Sequence, residues 1–275
     1  LEVGMGGRLD ATNVIDPLIS VITSISFDHM SVLGDTLTEI ATEKGGIIKP
    51  NRPVVASPQK TEAMLTLREI ARQRKAEFIS VESGYDYREL NHNLSRQTFT
   101  IASKNNPLPA KNTNTRTPLK LTMPLLGQHQ IENGATAIAA LDQIRLAGFR
   151  MTREAIRTGF RQVVWPARFE ILRKNPPIVI DSAHNGDSMQ RLVATVDEYF
   201  PGLPFILVFG ASADKSMGDM LDAVLPRVEF VITAQSLHPR AATPEELKEI
   251  VQKRTDAVIA AHPAEEALAK AIELA

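Results

Sequence analysis

The chain has 275 residues, long for one small domain and comfortable for two, with 43% apolar and 23% charged residues to build buried cores. A formal net charge of -1 offers no global attraction for nucleic acid or anionic lipid, so any anionic ligand must be held by local groups. The absence of cysteine removes disulfides, thiolate metal ligands and a thiol nucleophile together, and no run approaches the roughly 20 apolar residues of a membrane span.

The opening "LEVGMGGRLDATNVI" reads as an apolar strand end followed by a glycine turn at Gly4, Gly6 and Gly7. It does not match G-x-G-x-x-G, because the third glycine follows the second directly, and G-x-x-x-x-G-K-[ST] occurs nowhere in the chain. The first residue is Leu inside that apolar segment, so the expectation is a chain that begins within a domain, with any P-loop lying upstream. Glu2 is more informative than the glycines: a carboxylate in an apolar strand end is costly to bury unless paired or bound to metal.

Residues 18–26, "LISVITSIS", read as a buried strand that ends in the polar loop "FDHMSVLGD". In open α/β sheets ligands gather at the carboxyl ends of strands, so Asp28 and His29 are either metal ligands there or solvated loop residues. A helix follows, started by the T-x-x-E capping box of Thr36 and Glu39 and stopped at Gly45-Gly46. Leu37, Ile40, Ala41 and Lys44 fall at i, i+3, i+4 and i+7, which puts the lysine on the buried stripe. It is either a snorkelling cation at the helix C-terminus or a neutral amine able to take up CO₂ as a carbamate.

"PVVASP", a helix over roughly 60–75 and "AEFISV" continue the alternation of an α/β layer. "QTFTIASK" and "LKLTMPL" then read as antiparallel strands flanking a polar, mobile loop, "NNPLPAKNTNTRTP". A long amphipathic helix over "GQHQIENGATAIAALDQIRLAGF" places Ile131, Ala135, Ile138 and Ala139 on one face, with Asn133 near its start, either reading a base edge or serving as an ordinary polar residue. A second helix follows at about 152–161.

"VVWPARFE" marks a hinge, with Arg168 either bridging a phosphate bidentately or pairing with Glu170 on the surface. Beyond it "PIVIDSAHN", "PFILVFGAS" and "EFVITAQS" read as three strands of a parallel, Rossmann-like unit, with helices at 187–200, 216–225, 243–253 and 263–274. Asp181, His184 and Asn185 stand at the carboxyl end of the first. The "GASADKS" stretch, carrying Asp214 and Lys215, is one residue short of a P-loop and reads as a decoy.

Taken together, "EVGMGGRLDATNVI", "SISFDHMSVLGDTLTEIATEKGGIIKP", "WPARFE" and "DSAHN" resemble the folylpolyglutamate synthase/dihydrofolate synthase family of the Mur ligase superfamily. The resemblance is ordered along nearly the whole chain, and its first two stretches are specific to the folate branch. It implies an α/β fold in which 1–164 are a partial central ATPase domain lacking its P-loop and 165–275 a Rossmann-like C-terminal domain. It further implies that Glu2 and His29 bind Mg²⁺, that Lys44 is a carbamylated catalytic lysine, and that Asn133, Arg168 and Asp181 contact ATP. His184, the second catalytic candidate, lies near the phosphate or the incoming glutamate.

The departures are "EKGG" where the family usually has "EKAG", "ADKSM" where it often has "DKD", and a chain that stops at "AIELA", before the family's last strand. The implied activity is ATP-dependent addition of L-glutamate to a folate or dihydropteroate carboxylate through an acyl phosphate, in folate biosynthesis and one-carbon metabolism. The expected setting is a cytoplasmic monomer with small-molecule substrates and neither nucleic acid nor membrane as partner. The competing readings are another Mur-type ligase of cell-wall synthesis and a catalytically silent nucleotide-binding module.

Overall fold

The structure, a computed structural model, describes residues 1–104, 118–212 and 217–275. The chain divides into two compact units, Leu1–Pro166 and Ala167–Ala275. The segment expected to be a mobile loop lies almost wholly outside the described residues, as do Asp214 and Lys215.

The first unit opens on irregular chain and a 3-10 turn, Ala11–Val14. It then runs β1 (Ser20–Ile22), α1 (Met30–Leu33), α2 (Leu37–Gly45), β2 (Val54–Ala56), α3 (Thr61–Gln73) and β3 (Phe78–Ser80). These three strands form a parallel sheet in the order β1-β2-β3. Ile40, Ala41, Leu67 and Ala71 are fully buried between α2 and α3 and, with Val54 and Ala56, make one core cluster. Each large aliphatic side chain so buried contributes about 2 kcal/mol.

After α4 (Val81–Gly84) comes an antiparallel meander of β4 (Tyr85–Asn93), β5 (Arg96–Ser103) and β6 (Leu119–Met123), followed by α5 (Gln128–Leu146) and α6 (Arg153–Gln162). Ile131, Ala135, Ile138 and Ala139 are buried against Phe99, Ile101, Leu119 and Leu121, as their helical spacing requires. Three hydrogen bonds seat α5 at depth. Thr136 Oγ1 lies 2.8 Å from Ser57 Oγ, just past β2, and the buried Gln97 amide donates to the carbonyls of Leu125 and Gly127 immediately before the helix.

The second unit contains β7 (Glu170–Lys174), β8 (Pro177–Ile180), α7 (Gly186–Tyr199), β9 (Phe205–Phe209), α8 (Met217–Val224), β10 (Val228–Thr233), α9 (Pro244–Gln252), β11 (Val258–Ala260) and α10 (Ala264–Leu274). Its parallel sheet has the order β11-β10-β9. Adjacent residues of β10 face opposite sides: Val231 packs with α8 and α9, Ile232 with α10.

Three sequence expectations change. Residues 1–3 belong to no strand, because they pair with no ladder among the described residues, and Glu2 is exposed rather than buried. The expected strand over 18–26 is shorter, since Gln59 captures its tail: the Gln59 side chain accepts from Ile25 N–H and donates to Thr23 O. "PIVI" pairs antiparallel with β7 rather than joining the parallel sheet. The short Asn175-Pro176 connection places it beside its sequence neighbour, where antiparallel pairing needs no crossover.

Candidate active-site elements

The glycine turn is a packing device. Gly6 and Gly7 hold φ of 64° and 153°, and a side chain on Gly7 would meet the backbone carbonyls of Glu43 and Lys44 at 3.1 and 3.2 Å. The turn is fastened to the end of α2, where Arg8 N–H donates to Glu43 O at 2.8 Å and Arg8 Nε to Glu43 Oε1 at 2.9 Å. Asp10 closes it from within, accepting from the N–H groups of Gly4 and Met5, each at 3.1 Å. Glu2 stands two residues before this turn and makes no hydrogen bond or ion pair among the described residues.

The loop after β1 carries Asp28 and His29. His29 is exposed, holds a left-handed backbone at φ 51° as the residue before α1, and places Nε2 3.8 Å from Asp28 Oδ1. Lys44 is half-buried on α2, on the stripe shared with Leu37, Ile40 and Ala41. Burial pushes its pKa below the ordinary lysine value, and the Asp28 charge partly offsets that. The structure therefore brings Asp28, His29 and Lys44 into one electrostatic neighbourhood at the carboxyl end of a parallel strand.

Of these groups the Asp28 carboxylate offers the oxygen ligands a hard divalent cation takes, the His29 imidazole is a softer ligand, and burial shifts Lys44 toward the neutral amine, whose reaction with CO₂ would add further oxygen ligands. No contact joins Glu2 to His29 or Lys44 among the described residues.

Asn133 is exposed one turn into α5, and its amide donates to Gln130 Oε1 at 3.2 Å. Gln130 is only 5% exposed, and its own amide nitrogen meets His129 Nε2 at 3.1 Å. Both precede Asn133 by about one turn of a helix whose start is held by Gln97. Gln130 went unnoticed in the sequence because a polar residue beside Ile131 interrupts no apolar period.

In the second unit, Asp181 follows β8 and has both carboxylate oxygens occupied, accepting from Phe169 N–H at 2.7 Å and Ala183 N–H at 2.8 Å. Arg168 is exposed, and its guanidinium donates to Ser182 Oγ. Glu170 accepts from Ala167 N–H at 2.9 Å. His184 Nδ1 lies 3.0 Å from the Ser182 carbonyl, which can only accept, so that nitrogen carries the proton. Asn185 caps α7 in a reciprocal capping box with Ser188. Arg168, Asp181 and His184 thus gather at one corner, while Asn133 belongs to the first unit.

Residues 1–141 match the Mur ligase middle domain and 167–275 the Mur ligase glutamate ligase domain. The Bacillus subtilis dihydrofolate synthase/folylpolyglutamate synthase is 32% identical over 90% of this chain and 55% of its own length. Among solved structures, the Mycobacterium tuberculosis folylpolyglutamate synthase complexed with ADP superimposes with a TM-score of 0.87 at 30% identity, covering 99% of this chain and 60% of that one. The Escherichia coli FolC in complex with DHPP and ADP gives 0.81 at 28% identity, over 99% and 59%. The chain spans a little over half the length of these relatives.

Proposed function

Because the chain belongs to the Mur ligases, in their folylpolyglutamate synthase/dihydrofolate synthase branch, we propose that it supplies catalytic parts of an ATP-dependent ligase that adds L-glutamate to a folate or dihydropteroate carboxylate. The observation that carries this reading is the likeness to ADP-bound synthases along 99% of the chain, together with a basic residue, Arg168, held at a strand's carboxyl end. The proposed setting is a cytoplasmic monomer. Among the described residues no helix is long and apolar enough to cross a membrane.

In this reading residues 1–164 act as part of the central ATPase domain and 165–275 as the Rossmann-like C-terminal domain. The γ-phosphoryl group of ATP passes to the acceptor carboxylate, giving an acyl phosphate and ADP. The glutamate amine then attacks the acyl carbon, loses a proton, and inorganic phosphate leaves. Such chemistry asks the protein mainly for positioning and charge neutralisation. Asn133 holds the nucleotide base. Arg168 offsets phosphate charge, and its fork geometry suits two oxygens at once. Asp181 orients the corner that carries Arg168 and accepts from the nucleotide. His184, with Nδ1 committed to Ser182 O, is placed for the phosphate or the incoming amine.

Glu2 and His29 would hold Mg²⁺, joined by a Lys44 carbamate formed when the neutral amine bonds to CO₂ and releases a proton to solvent. When bound, the ion neutralises charge on the transferring phosphates. Lys44's half-burial supports this assignment, since desolvation disfavours the ammonium form against the pull of Asp28.

The test supplies the intact gene product with ATP, glutamate and, in separate arms, a dihydropteroate, a folate or a cell-wall precursor. ADP release dependent on a pteroate or folate is expected; release with the cell-wall precursor alone would reassign the enzyme, and none with any acceptor would favour a silent nucleotide-binding module. In the same assay Lys44→Ala should lose about 10- to 100-fold, with partial rescue by short carboxylic acids. Unchanged turnover would remove Lys44 from the site.

A further inference from the structure

Ala167 and Phe169 flank Arg168, and both hold left-handed backbone, at φ 57° and 47°. Residues with a Cβ avoid that region, so two of them within three positions mark a turn enforced by its surroundings. Ala167 N–H donates to the Glu170 carboxylate, and Ala167 O accepts Ser182 N–H at 3.0 Å. Phe169 N–H donates to Asp181 Oδ2. The Phe169 ring supplies the last anchor: it is 2% exposed and packs on Tyr199 and Phe200, with ring centroids 5.6 and 6.4 Å away.

A phenylalanine serving only to fill a core would sit comfortably in the extended backbone of β7, which begins at the next residue. Here the ring is buried while the backbone is held off that conformation. The residue between the two anchored neighbours is left exposed, with its guanidinium on Ser182 Oγ. We propose that Phe169 is a positioning residue for Arg168: its buried ring and its N–H bond to Asp181 hold the turn that presents the guanidinium to the phosphates of a bound nucleoside triphosphate. The inference rests on the reading that Arg168 meets the nucleotide. Releasing the ring lets positions 167 and 169 relax toward ordinary backbone, and the guanidinium must then be ordered again at each binding event.

The experiment compares Arg168→Ala, Phe169→Ala, Phe169→Leu and the double variant Arg168→Ala/Phe169→Ala in the intact gene product, varying ATP at saturating glutamate and acceptor and following thermal unfolding in parallel. Phe169→Ala should raise the KM for ATP about 10-fold while leaving the KM for glutamate unchanged. Phe169→Leu, which keeps apolar volume, should fall between it and the parent. In the Arg168→Ala background the Phe169 change should raise the KM for ATP no further, because the turn has nothing left to present. A lowered kcat with the parental KM for ATP would mean lost folded enzyme only, and would overturn the proposal. Should Phe169→Ala fail to fold, Phe169→Leu decides by the same comparison: a raised KM for ATP supports the proposal and a parental one overturns it. If Arg168→Ala itself leaves the KM for ATP unchanged, the nucleotide reading of Arg168 fails, and the positioning role with it. A raised KM in Arg168→Ala beside parental values in both Phe169 variants overturns the positioning role alone.

Discussion

Asp10 organises the opening turn through one carboxylate. It accepts from the Thr12 hydroxyl at 2.6 Å and from the N–H groups of Thr12, Met5 and Gly4. These bonds, led by the Thr12 hydroxyl, pull its pKa from 3.8 down to about 2. The folded-state value lies below the unfolded one, so the charged carboxylate stabilises the fold above about pH 4, and that contribution is lost as pH falls toward 2. Asp10→Asn should therefore flatten the loss of stability between about pH 4 and pH 2, read as urea midpoints across that range; an unchanged slope would show that Asp10 does not govern it. The D-x-T spacing is a local turn signal, yet its reach back to Gly4 and Met5 is invisible in sequence. Lys44 was legible from period alone, because a cation at i+7 of an apolar stripe has to be half-buried. The depression of its pKa needed the packed neighbours that strip its water.

The second helix is the element most fully written in its sequence. The Thr36–Glu39 capping box forms with both reciprocal bonds, and Leu37, Ile40 and Ala41 are buried. Its two terminal glycines have different reasons. A Cβ on Gly45 would meet only side-chain atoms, Ile70 Cδ1 at 2.6 Å and Leu67 Cδ2 at 3.4 Å, whereas one on Gly46 would lie 2.5 Å from Arg8 Cα and 2.9 Å from Arg8 N. Gly45→Ala should accordingly be neutral or stabilise by up to about 1 kcal/mol, through a smaller backbone entropy cost. Gly46→Ala should destabilise by about 1–3 kcal/mol and detach the glycine turn. Urea unfolding of both variants checks the contrast, and equal effects would contradict the packing account. The fourth strand, Tyr85–Asn93, escaped sequence reading because its exposed, polar stretch "ELNHN" shows no apolar alternation; pairing with the fifth strand makes it a strand. The eleventh, Val258–Ala260, was too short to announce itself.

Across the whole molecule, the alternation of strand and helix announced an α/β protein, and each unit has its own apolar clusters. No G-x-x-x-x-G-K-[ST] motif occurs in the 275 residues. The chain by itself is therefore expected to turn over little or no ATP, measured as phosphate release; robust turnover would show that another segment cradles the phosphates.

Sequence alone determined the fold class, the capped helix under Lys44, the apolar face of the long helix and the branch of the family. These follow from periodicity, capping and motif order, which are properties of near neighbours along the chain. Only the tertiary structure decided that the opening glycines serve packing against Glu43 and Lys44, that "PIVI" forms a hairpin, and that Phe169 and Asp181 anchor the turn around Arg168. The first and last depend on groups a dozen or more residues apart meeting in space, and the hairpin on a near neighbour winning the pairing over the parallel sheet, a competition that no local pattern records.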